Sequence, residues 1–472
     1  MDDAGPADGG TLDARGADGH VESGSGSGSS SGSGSSSGSG SSSGSAPDAS
    51  SGSDAVAMPD SSGADGGASC PWTIPDPGAA QRMACGFAAG ARTADTLGIT
   101  PAVRAAIPIK YVVVVTEENR SFDHFFGQLP AFGQPQVDGL PPTFSNPDMT
   151  NVAVASYHLT SPCLPNDPPH QGAAMQADWD TGKMDGFVVS AAQAGEGDGH
   201  FTMGYYDGND LPFLYWLAKT YAIADRYFQP VLGGTWGNRD YLYCATSDGV
   251  TDTNQAVISA PTIFDSLDLA HVTWGVYSDG PPRQDSLGWT GSHAGVADFS
   301  SAFLMALANG SLPSVSFVDP TGAQNGNPTQ DEHPTADIHG GEAWIRQIYE
   351  AALASPLWNQ MAIVLTFDEG GGLADHVAPP SACPPSADQA SFNQLGMRVP
   401  TLVVSPWARL NSVSHVVHDH TSTLRLIESI FDLPALTARD ANADALLDMF
   451  DFGCPARANF PAAPQVAAVT CQ

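Results

Sequence analysis

The chain has 472 residues and a formal net charge of −34, with 17 lysines and arginines against 51 aspartates and glutamates. So acidic a chain lacks the basic residues that replace phosphate counterions, which excludes nucleic acid as its partner. No stretch approaches the roughly 20 apolar residues of a membrane span, so we expect no transmembrane segment.

The first predicted segment, residues 1–69, contains hardly any large apolar side chain, and residues 23–45 are serine and glycine alone. Such a composition cannot bury enough apolar surface to offset the entropy cost of folding, so we predict a disordered, acidic surface tether. The tether carries ten acids against one arginine, which leaves −25 of the charge on residues 70–472. That length suits one large domain.

Seven cysteines without a close Cys-x-x-Cys pair argue against a thiolate zinc site and indicate an oxidising compartment. We expect one short-range disulfide at each end of the domain, one long-range disulfide and one free thiol. The N-terminus lacks a charged and apolar leader, so an exported chain would have lost its signal or lipidation segment. The expected pairs are Cys70–Cys85, Cys454–Cys471 and Cys163–Cys383, with Cys244 unpaired.

Short apolar runs rich in β-branched residues predict strands that are covered on both faces, as in a parallel sheet. Helical periodicity between the runs predicts helices over 341–354 and 421–431, the second capped by Thr421 or Ser422. The alternation indicates an α/β fold, a three-layer α/β/α sandwich with a mostly parallel central sheet. The predicted strands are residues 111–115, 272–277, 315–318, 362–367 and 400–404.

Two long passages rich in glycine and proline, residues 127–178 and 377–397, exceed an ordinary connection between a strand and a helix. Loops of this length in compact domains are usually functional, so we expect them to form walls or lids of a site.

Polar side chains follow three of the predicted strands, where the ligand crevice of a parallel sheet lies. Carboxylates at adjacent strand ends repel one another unless a positive group lies between them, and a divalent metal is the simplest such group. Each acid alone also has an ordinary explanation as a helix cap or a solvated loop residue. The residues are Glu117, Glu118 and Asn119 after the first strand, Asp319 after the third, and Asp368 and Glu369 after the fourth.

Histidines follow the same pattern on loops near the strand ends. A lone histidine is more often structural than a ligand, but neighbouring glycines and prolines favour a functional role here. The histidines are His170 in "DPPHQG", His333 in "DEHPTAD", His376 in "GLADHVAPP", and His415, His418 and His420 in "SHVVHDHTS".

A nucleophile candidate, Thr235, follows two glycines and precedes a helix that we expect to begin near Gly237. A helix N-terminus attracts anions, and a metal that lowers the pKa of this hydroxyl would let it attack phosphorus. The alternative is that Thr235 only caps the helix. Asn238 and Arg239 fit either interpretation, as phosphate donors or as residues of the helix start.

Motifs of other enzyme classes are missing. Outside the serine- and glycine-only residues 23–45, the sequence contains no G-x-x-x-x-G-K-[ST], no G-x-G-x-x-G after a strand, no G-x-S-x-G and no H-E-x-x-H. A nucleotide-binding enzyme, a serine hydrolase with a nucleophile elbow or a zincin would each need one of them.

Ordered motifs between residues 110 and 432 resemble the bacterial phosphoesterase family of phospholipases C and related acid phosphatases, which has an alkaline-phosphatase-like α/β core. The resemblance implies a bacterial protein whose residues 70–472 are the catalytic domain. The tether and the expected disulfides indicate that it is secreted, periplasmic or at the cell surface. The motifs are "ENRSFDHFFG" (118–127), "GGTWGNRDYLY" (233–243), "DEHP" (331–334), "FDEGGGLADHVAPP" (367–380), "SPWAR" (405–409) and "HDHTSTLRLIE" (418–428).

The resemblance also implies roles for individual residues, with one or more divalent metal ions of unspecified identity as cofactor. Two residues depart from the family pattern: Gly234 before Thr235, which would loosen the nucleophile loop, and Gly237 in place of the usual proline before Asn238. By the resemblance, Glu118 and Asn119 would bind metal and phosphate, and Asp368 and Glu369 would complete the metal site. Thr235 would be the nucleophile, and the phosphate oxygens would be contacted, or the leaving group protonated, by His170, His333 and His376. Supporting contacts would come from Asp123, His124 and, less directly, His420.

The substrate is left open between a phospholipid headgroup and a small phosphomonoester. A threonine nucleophile resembles the phospholipase C branch, whereas the short sequence after the last core helix favours a compact acid phosphatase. A catalytically inactive surface binding protein is the alternative from another class, and the intact site residues argue against it. A sulfatase-type relative would need Cys/Ser-x-Pro-x-Arg, but Trp236 and Gly237 follow Thr235.

Overall fold

A computed structural model describes residues 72–252, 257–280, 284, 287, 296–321 and 330–471. The chain divides into two units, Met1–Gly66 and Gly67–Gln472. The first unit and the whole of the expected tether, residues 1–69, lie outside the described residues.

The described residues form helices and strands that alternate along most of the chain. The helices are α1 (Ala79–Met83), α2 (Thr93–Thr96), α3 (Pro101–Ala106), α4 (Phe122–Phe126), α5 (Gly172–Trp179), α6 (Phe187–Ala194), α7 (Pro212–Thr220), α8 (Thr235–Cys244), α9 (Ile263–Leu269), α10 (Leu304–Asn309), α11 (Ile338–Ala354), α12 (His420–Phe431) and α13 (Ala438–Ala441). The strands are β1 (Tyr111–Glu117), β2 (Ser145–Pro147), β3 (Ala153–Ala155), β4 (Tyr157–His158), β5 (Gly204–Tyr205), β6 (Ala222–Ala224), β7 (Tyr227–Phe228), β8 (Trp274–Tyr277), β9 (Val296–Ala297), β10 (Val315–Val318), β11 (Met361–Phe367), β12 (Thr401–Val404), β13 (Ser412–Ser414) and β14 (His418–Asp419).

The main sheet has the strand order β13-β6-β12-β11-β1-β10-β8-β9 within the described part of the chain. Its pairs are parallel except the two made by β12, which is antiparallel to β11 and to β6. All five predicted strands are present, so the α/β prediction with a mostly parallel sheet is confirmed. β1 runs two residues further than predicted, because Thr116 and Glu117 continue the ladder opposite Thr366 and Phe367.

Helices cover both faces of this sheet. On one face, Tyr243 of α8 and Phe264 of α9 pack edge-on against Phe317 of β10, with ring centroids 5.7 and 5.2 Å away. On the other face, Val115 of β1 lies with Ile345 of α11 and other apolar residues of α7 and α11. Helix, sheet and helix form the three expected layers, which explains why the strands are apolar at successive positions.

The helix boundaries differ from the predicted ones at their starts. α11 begins at Ile338, three residues early, because the carboxylate of Asp337 accepts a hydrogen bond from the backbone N–H of His339. α12 is capped by Asp419 rather than by Thr421 or Ser422. Ser422 instead completes a capping box, in which its hydroxyl accepts from the Asp419 backbone N–H.

The disulfides join distant parts of the chain, so the predicted pairings were wrong. The short spacings at the two ends of the domain suggested local bridges, but the fold brings cysteines of remote loops close to each end. Cys454 is also disulfide-bonded, Cys70 lies outside the described residues, and Cys244 is free and buried as expected. The bridges are Cys85–Cys383 and Cys163–Cys471, with sequence separations of 298 and 308 residues.

Disulfides persist in oxidising compartments, which agrees with an extracellular or otherwise exported protein. Within the described residues, no helix is both long and apolar enough to cross a bilayer.

A buried carboxyl group joins the two helices on one face of the sheet. Oε1 of Glu342 in α11 accepts hydrogen bonds from the backbone N–H groups of Phe213 and Leu214, at 2.7 and 2.9 Å, in the first turn of α7. The side chain is fully buried. Burial raises the pKa of Glu342 to about 8, although the two N–H groups act in the opposite direction.

We predict that Glu342→Gln flattens the pH dependence of stability between about pH 4.5 and 8. In that window the folded protein holds a proton on Glu342 that the unfolded chain has released, so the free energy of unfolding falls as pH rises, by on the order of 4 kcal/mol in total. Chemical denaturation at pH 5, 6.5 and 8 measures the slope. Glu350→Gln, at an exposed position of the same helix, is the control, and an unchanged slope in Glu342→Gln would contradict the prediction.

Candidate active site

Three neighbouring strands of the sheet each end in a buried carboxylate. Glu118 follows β1, Asp319 follows β10 and Asp368 follows β11, and each is at most 3% exposed. The guanidinium of Arg239 in α8 lies between them. Its Nη2 contacts Glu118 Oε1 at 3.1 Å, its Nε contacts Asp368 Oδ2 at 3.1 Å, and its Nη1 donates to Asp319 Oδ1. The strand-end acids therefore meet, as expected, but the positive group between them is an arginine.

Arg239 remains charged although no part of its side chain reaches solvent. Burial acts to lower the pKa of Arg239, but attraction by Asp319 and Asp368 outweighs it and raises the pKa well above its usual value. The planar guanidinium satisfies several carboxylates at once, which the point charge of a lysine does not. The same contacts fix α8 against the ends of the strands.

Two buried side chains beside this cluster have oxygens without a hydrogen-bond partner among the described residues and could hold a metal. Both the side-chain oxygen and nitrogen of Asn119 are buried and unpartnered, and so is Oε1 of Glu369. Burial, then the neighbouring Asp368, raises the pKa of Glu369 well above its usual value. An oxygen-rich set in need of positive charge fits a divalent ion, so the predicted ligands Glu118, Asn119, Asp368 and Glu369 are compatible with a metal.

Thr235 is the first residue of α8, and the N-cap position belongs to Gly234. Thr235 is therefore not the cap of the helix, and the helix begins two residues before the predicted start at Gly237. Its side chain is half-buried, whereas every residue of α8 from Gly237 onward is buried. Thr235 is thus at the partly exposed end of an otherwise buried helix.

The loop before Thr235 is braced by Asn238. Its Nδ2 donates to the carbonyls of Gly233 and Gly234 at 2.7 and 3.1 Å, and its Oδ1 accepts from the N–H of Val231 at 3.1 Å. A side chain at Gly237 would place Cβ 2.5 Å from the carbonyl oxygen of Val250. The close approach of the Val250 carbonyl therefore explains why position 237 is glycine where a proline was expected. The hydrogen bonds of Asn238 hold the loop in place, so the loop is not loosened.

His170 and His333 lie next to each other, with ring centroids 5.8 Å apart. Nε2 of His170 is 3.7 Å from Oε1 of Glu369, so this pair adjoins the candidate metal ligands. Burial lowers the pKa of His170. Burial acts on His333 as well, but the carboxylates of Asp167 and Asp331 outweigh it and raise the pKa of that ring.

His376 belongs to a different cluster. Its Nδ1 lies 2.6 Å from Asp123 Oδ2, and its Nε2 lies 3.4 Å from Asp138 Oδ1. Arg398 bridges Asp123 and Asp375 at 2.8 and 2.9 Å. Despite burial, the hydrogen bond with Asp123 raises the pKa of His376. These contacts support the expected bracing role of Asp123, whereas a catalytic role for His376 stays a prediction.

Two other histidines singled out in the sequence are buried and contact backbone carbonyls. His420 contacts the backbone carbonyl of Asp368 through Nε2 at 2.8 Å, and burial lowers its pKa to about 4, so it is neutral near pH 7. His124 contacts the carbonyl of Gly204 through Nδ1 at 2.8 Å, and burial lowers its pKa too. Neither ring carries a positive charge at neutral pH.

The structure gives a partner to one strand-end acid, Asp319, and brings one acid that the sequence analysis did not name, Asp167, next to the candidate site. Asp319 was noted as a strand-end acid, but its ion pair with Arg239 joins residues 80 positions apart. Asp167 stands three residues before His170, and its Oδ1 is buried beside the histidine pair. The Asp-x-x-His spacing was the available signal for Asp167.

Comparison with known proteins shows the family of the chain. The model of the phosphoesterase family matches residues 109–434. The chain is 30% identical over 393 residues to non-specific phospholipase C6 of Arabidopsis thaliana, covering 76% of each protein. It is also 30% identical over 424 residues to phospholipase C B of Mycobacterium tuberculosis (strain ATCC 25618 / H37Rv), covering 75% of this chain and 80% of that one.

A solved structure of an alkaline phosphatase superfamily protein from Vibrio parahaemolyticus matches with a TM-score of 0.35 and 10% identity, over 68% of this chain and 78% of that chain. The family match and the named relatives define the class of protein, a phosphoric ester hydrolase. The chain belongs to the phosphoesterase family.

We predict that Arg239→Met lowers the free energy of unfolding by about 3–5 kcal/mol, because it leaves buried carboxylates without their counter-charge. Arg239→Lys keeps the charge but not the planar fork, so a smaller loss is expected. The control is Arg346→Met, whose partner Glu350 is 54% exposed, and which should cost about 1 kcal/mol or less. Equal losses for Arg239→Met and Arg346→Met in urea denaturation would contradict the prediction.

Proposed function

We propose that this protein is a metal-dependent hydrolase of phospholipid phosphodiesters, similar to a phospholipase C, which acts through a phospho-threonine at Thr235. The observation that carries the proposal is the position of Thr235 at the start of α8, one helical turn before Arg239. Because residues four apart lie on one face of a helix, the ion pairs of Arg239 direct the Thr235 end of the helix toward the strand-end acids.

The start of α8 also supplies a place for the phosphoryl group. The first backbone N–H groups of a helix have no partner within the helix, and the helix dipole favours negative charge there. α8 has ten residues, and its N-cap residue, Gly234, has no side chain that could accept from the first turn. Those N–H groups are therefore available to an anionic phosphate beside the Thr235 hydroxyl.

The residues that would hold a divalent ion are Asn119 and Glu369, together with Glu118 and Asp368. Such an ion supplies stabilisation of the negative charge that develops on the phosphoryl oxygens. Asn119 and Glu369 carry the stronger support, because each has a buried oxygen with no hydrogen-bond partner among the described residues. Glu118 and Asp368 each already contact Arg239.

The proposed reaction has two balanced halves. In the first, Oγ1 of Thr235 bonds to phosphorus, the bond from phosphorus to the alcohol oxygen breaks, and the alcohol leaves with the proton that the threonine gives up. In the second, a water oxygen bonds to phosphorus, the phospho-threonine bond breaks, and the threonine hydroxyl is restored. His170 and His333 adjoin Glu369 and take one of two roles, holding phosphoryl oxygens or passing the proton to the alcohol.

The proposal also includes the cellular location of the protein. The named relatives are phospholipases C, and the disulfides agree with an exported protein. We propose a bacterial enzyme that is secreted or held at the cell surface, with residues 1–69 as a tether. A phospholipid headgroup is then the substrate that such a location offers.

We predict that Thr235→Ala lowers kcat on phosphatidylcholine by at least about 10³-fold, because the attacking oxygen is removed. Thr235→Ser keeps a hydroxyl and should keep measurable activity. In acid-quenched samples, the wild type but not Thr235→Ala should carry one phosphoryl group on the peptide that contains residue 235, as measured by mass spectrometry. Thr150→Ala, on an exposed loop, is the control.

The substrate is decided by comparing phosphatidylcholine with p-nitrophenyl phosphate across pH, with and without a chelator. Faster turnover of the diester, lost with the chelator, supports the proposal. Faster turnover of the monoester would identify an acid phosphatase instead. Equal rates for the wild type and Thr235→Ala would contradict the mechanism, and a metal-replete but inactive wild type would indicate a binding protein.

A further inference from the structure

Gln229 is a buried residue between the loop that leads to Thr235 and the loop that follows β11. It comes directly after β7, and no part of it is exposed. Its backbone N–H donates to the carbonyl of Met397, and its backbone carbonyl accepts from the N–H of Gly396, each at 2.9 Å. The main chain at this position is therefore held in place by its own hydrogen bonds.

The side chain of Gln229 contacts both loops. Its Oε1 accepts a hydrogen bond from the backbone N–H of Gly370 at 2.8 Å, and Gly370 directly follows the candidate metal ligand Glu369. On the other side, Nε2 donates to the carbonyls of Val231 and Gly233 at 2.8 and 3.2 Å, in the loop before α8. One amide therefore joins the loop after β11 to the loop before α8.

An amide is the group that these contacts require. Its oxygen accepts and its nitrogen donates, so it satisfies an N–H group on one side and carbonyls on the other. An ionised carboxylate has no donor, and an ammonium group has no acceptor. Because both polar atoms of the buried Gln229 side chain have partners, the amide has one favoured orientation, and rotation would leave buried groups unpaired. The length of one side chain thus sets the distance between the two loops.

Two glycines leave the space that this amide occupies. A side chain at Gly396 would place Cβ 2.4 Å from Cγ of Gln229, which is too close for atoms that are not bonded. A side chain at Gly370 would place Cβ 3.1 Å from Cβ of Met397 and 3.4 Å from Oε1 of Gln229. The backbone on both sides therefore fits closely around the Gln229 side chain.

A second amide holds the same loop from α8. Nδ2 of Asn238 donates to the Gly233 carbonyl at 2.7 Å, so this oxygen accepts from both Asn238 and Gln229. A backbone carbonyl oxygen has two lone pairs, and both are used here. Because Gly233 lies two residues before Thr235, the loop is held toward α8 by one bond and toward Gly370 by the other.

We propose that Gln229 is a positioning residue, which holds the Thr235 hydroxyl at a fixed distance from the ligand atoms of Glu369. Its side-chain contacts with the two loops are to backbone atoms, so it acts through the loops rather than on the substrate. The inference rests on the proposed function, because the distance matters for catalysis only where Thr235 attacks phosphorus beside an ion at Glu369. A misplacement of about 1 Å lowers the rate of such a step by about 10²-fold.

The first test compares the full chain, as purified, with its Gln229→Met variant on phosphatidylcholine. Methionine has a similar volume and makes none of the three hydrogen bonds. We expect kcat to fall by about 10²-fold and KM to change by less than about threefold, because positioning acts on the chemical step and not on substrate binding. An unchanged kcat, or a loss that lies wholly in KM, would overturn the proposal.

Asn146 offers a matched control. Its amide is also fully buried and joins two backbone groups, donating to the carbonyl of Met184 and accepting from the N–H of Phe187, each at 3.0 Å. Asn146→Leu should lower the stability to urea as Gln229→Met does, but keep kcat within about twofold. A loss of kcat as large as that of Gln229→Met would assign the effect to general destabilisation and contradict the proposal.

Gly396→Ala tests the same contact and leaves Gln229 in place. The added Cβ pushes against Cγ of Gln229, so kcat should fall by about tenfold, through displacement of the amide. In a Gln229→Ala background, where Cγ is absent, Gly396→Ala should cause no further loss, because the two changes act through one contact. Additive losses in the double variant would show that Gly396→Ala acts by another route, and the proposal would fail.

A third measurement needs no activity. The N–H groups of Val231 and Gly234 bond to Asn238 and Thr251, so the exchange of these two protons with solvent reports movement of the loop rather than the loss of a Gln229 bond. Both protons should exchange at least about tenfold faster in the Gln229→Met variant than in the Asn146 control, because the loop opens more often. Equal exchange rates would overturn the proposal.

The proposed function fails by a different result. If the wild type carries no phosphoryl group on Thr235 after acid quenching, the nucleophile is wrong, whatever the exchange rates show. If the wild type carries that group and the Gln229→Met variant matches it in kcat, only the positioning role of Gln229 is wrong.

Discussion

The buried ion cluster of Arg239 is the interaction on which the rest of the site depends. β1, β10 and β11 are parallel neighbours, so their carboxyl ends bring Glu118, Asp319 and Asp368 to one edge of the sheet. Three carboxylates without access to water could not remain ionised there without a cation. Arg239 supplies it from α8, and in doing so positions the helix whose first residue is Thr235. The ion pairs of Arg239 therefore both balance the charge at the sheet edge and position the helix that carries the nucleophile candidate.

Much of this could be predicted from the sequence, because the signals were local. Continuous apolar runs identified the five predicted strands, and the acids directly after them identified the sheet edge where Glu118, Asp319 and Asp368 meet. The need for a positive group followed from electrostatics alone. What the sequence could not show was which cation meets the need, since Arg239 is 121 residues from Glu118 and 129 from Asp368. A metal and an arginine satisfy the same argument until the fold is known.

The disulfides illustrate the same limit. Cys85 and Cys471 were assigned to the nearest cysteines in sequence, but they bond to Cys383 and Cys163, 298 and 308 residues away. The spacing of two cysteines along the chain predicts a disulfide between them only when the fold brings no other cysteine close to either one. Here both ends of the domain pack against remote loops, and one of these loops leads from Cys163 to His170. The cap of α12 was missed for a smaller reason, because Asp419, Thr421 and Ser422 are all good capping residues and only backbone geometry selects one.

The candidate site has two parts, which differ in how their buried polar atoms are hydrogen-bonded. The first is the ion cluster of Arg239, and the second is the group of Asn119, Glu369 and Asp167. In the first part, each of the three carboxylates contacts the Arg239 guanidinium. Around Asn119, Glu369 and Asp167, buried oxygens accept no hydrogen bond from the described residues. Unpaired buried polar groups cost free energy, of about 1–3 kcal/mol each, unless a ligand satisfies them. A protein that keeps several of them together is less stable without a ligand that satisfies them than with one. The ion pairs of Arg239 then hold the strand ends and α8 in place, whereas a ligand would bind to the group with unpartnered oxygens.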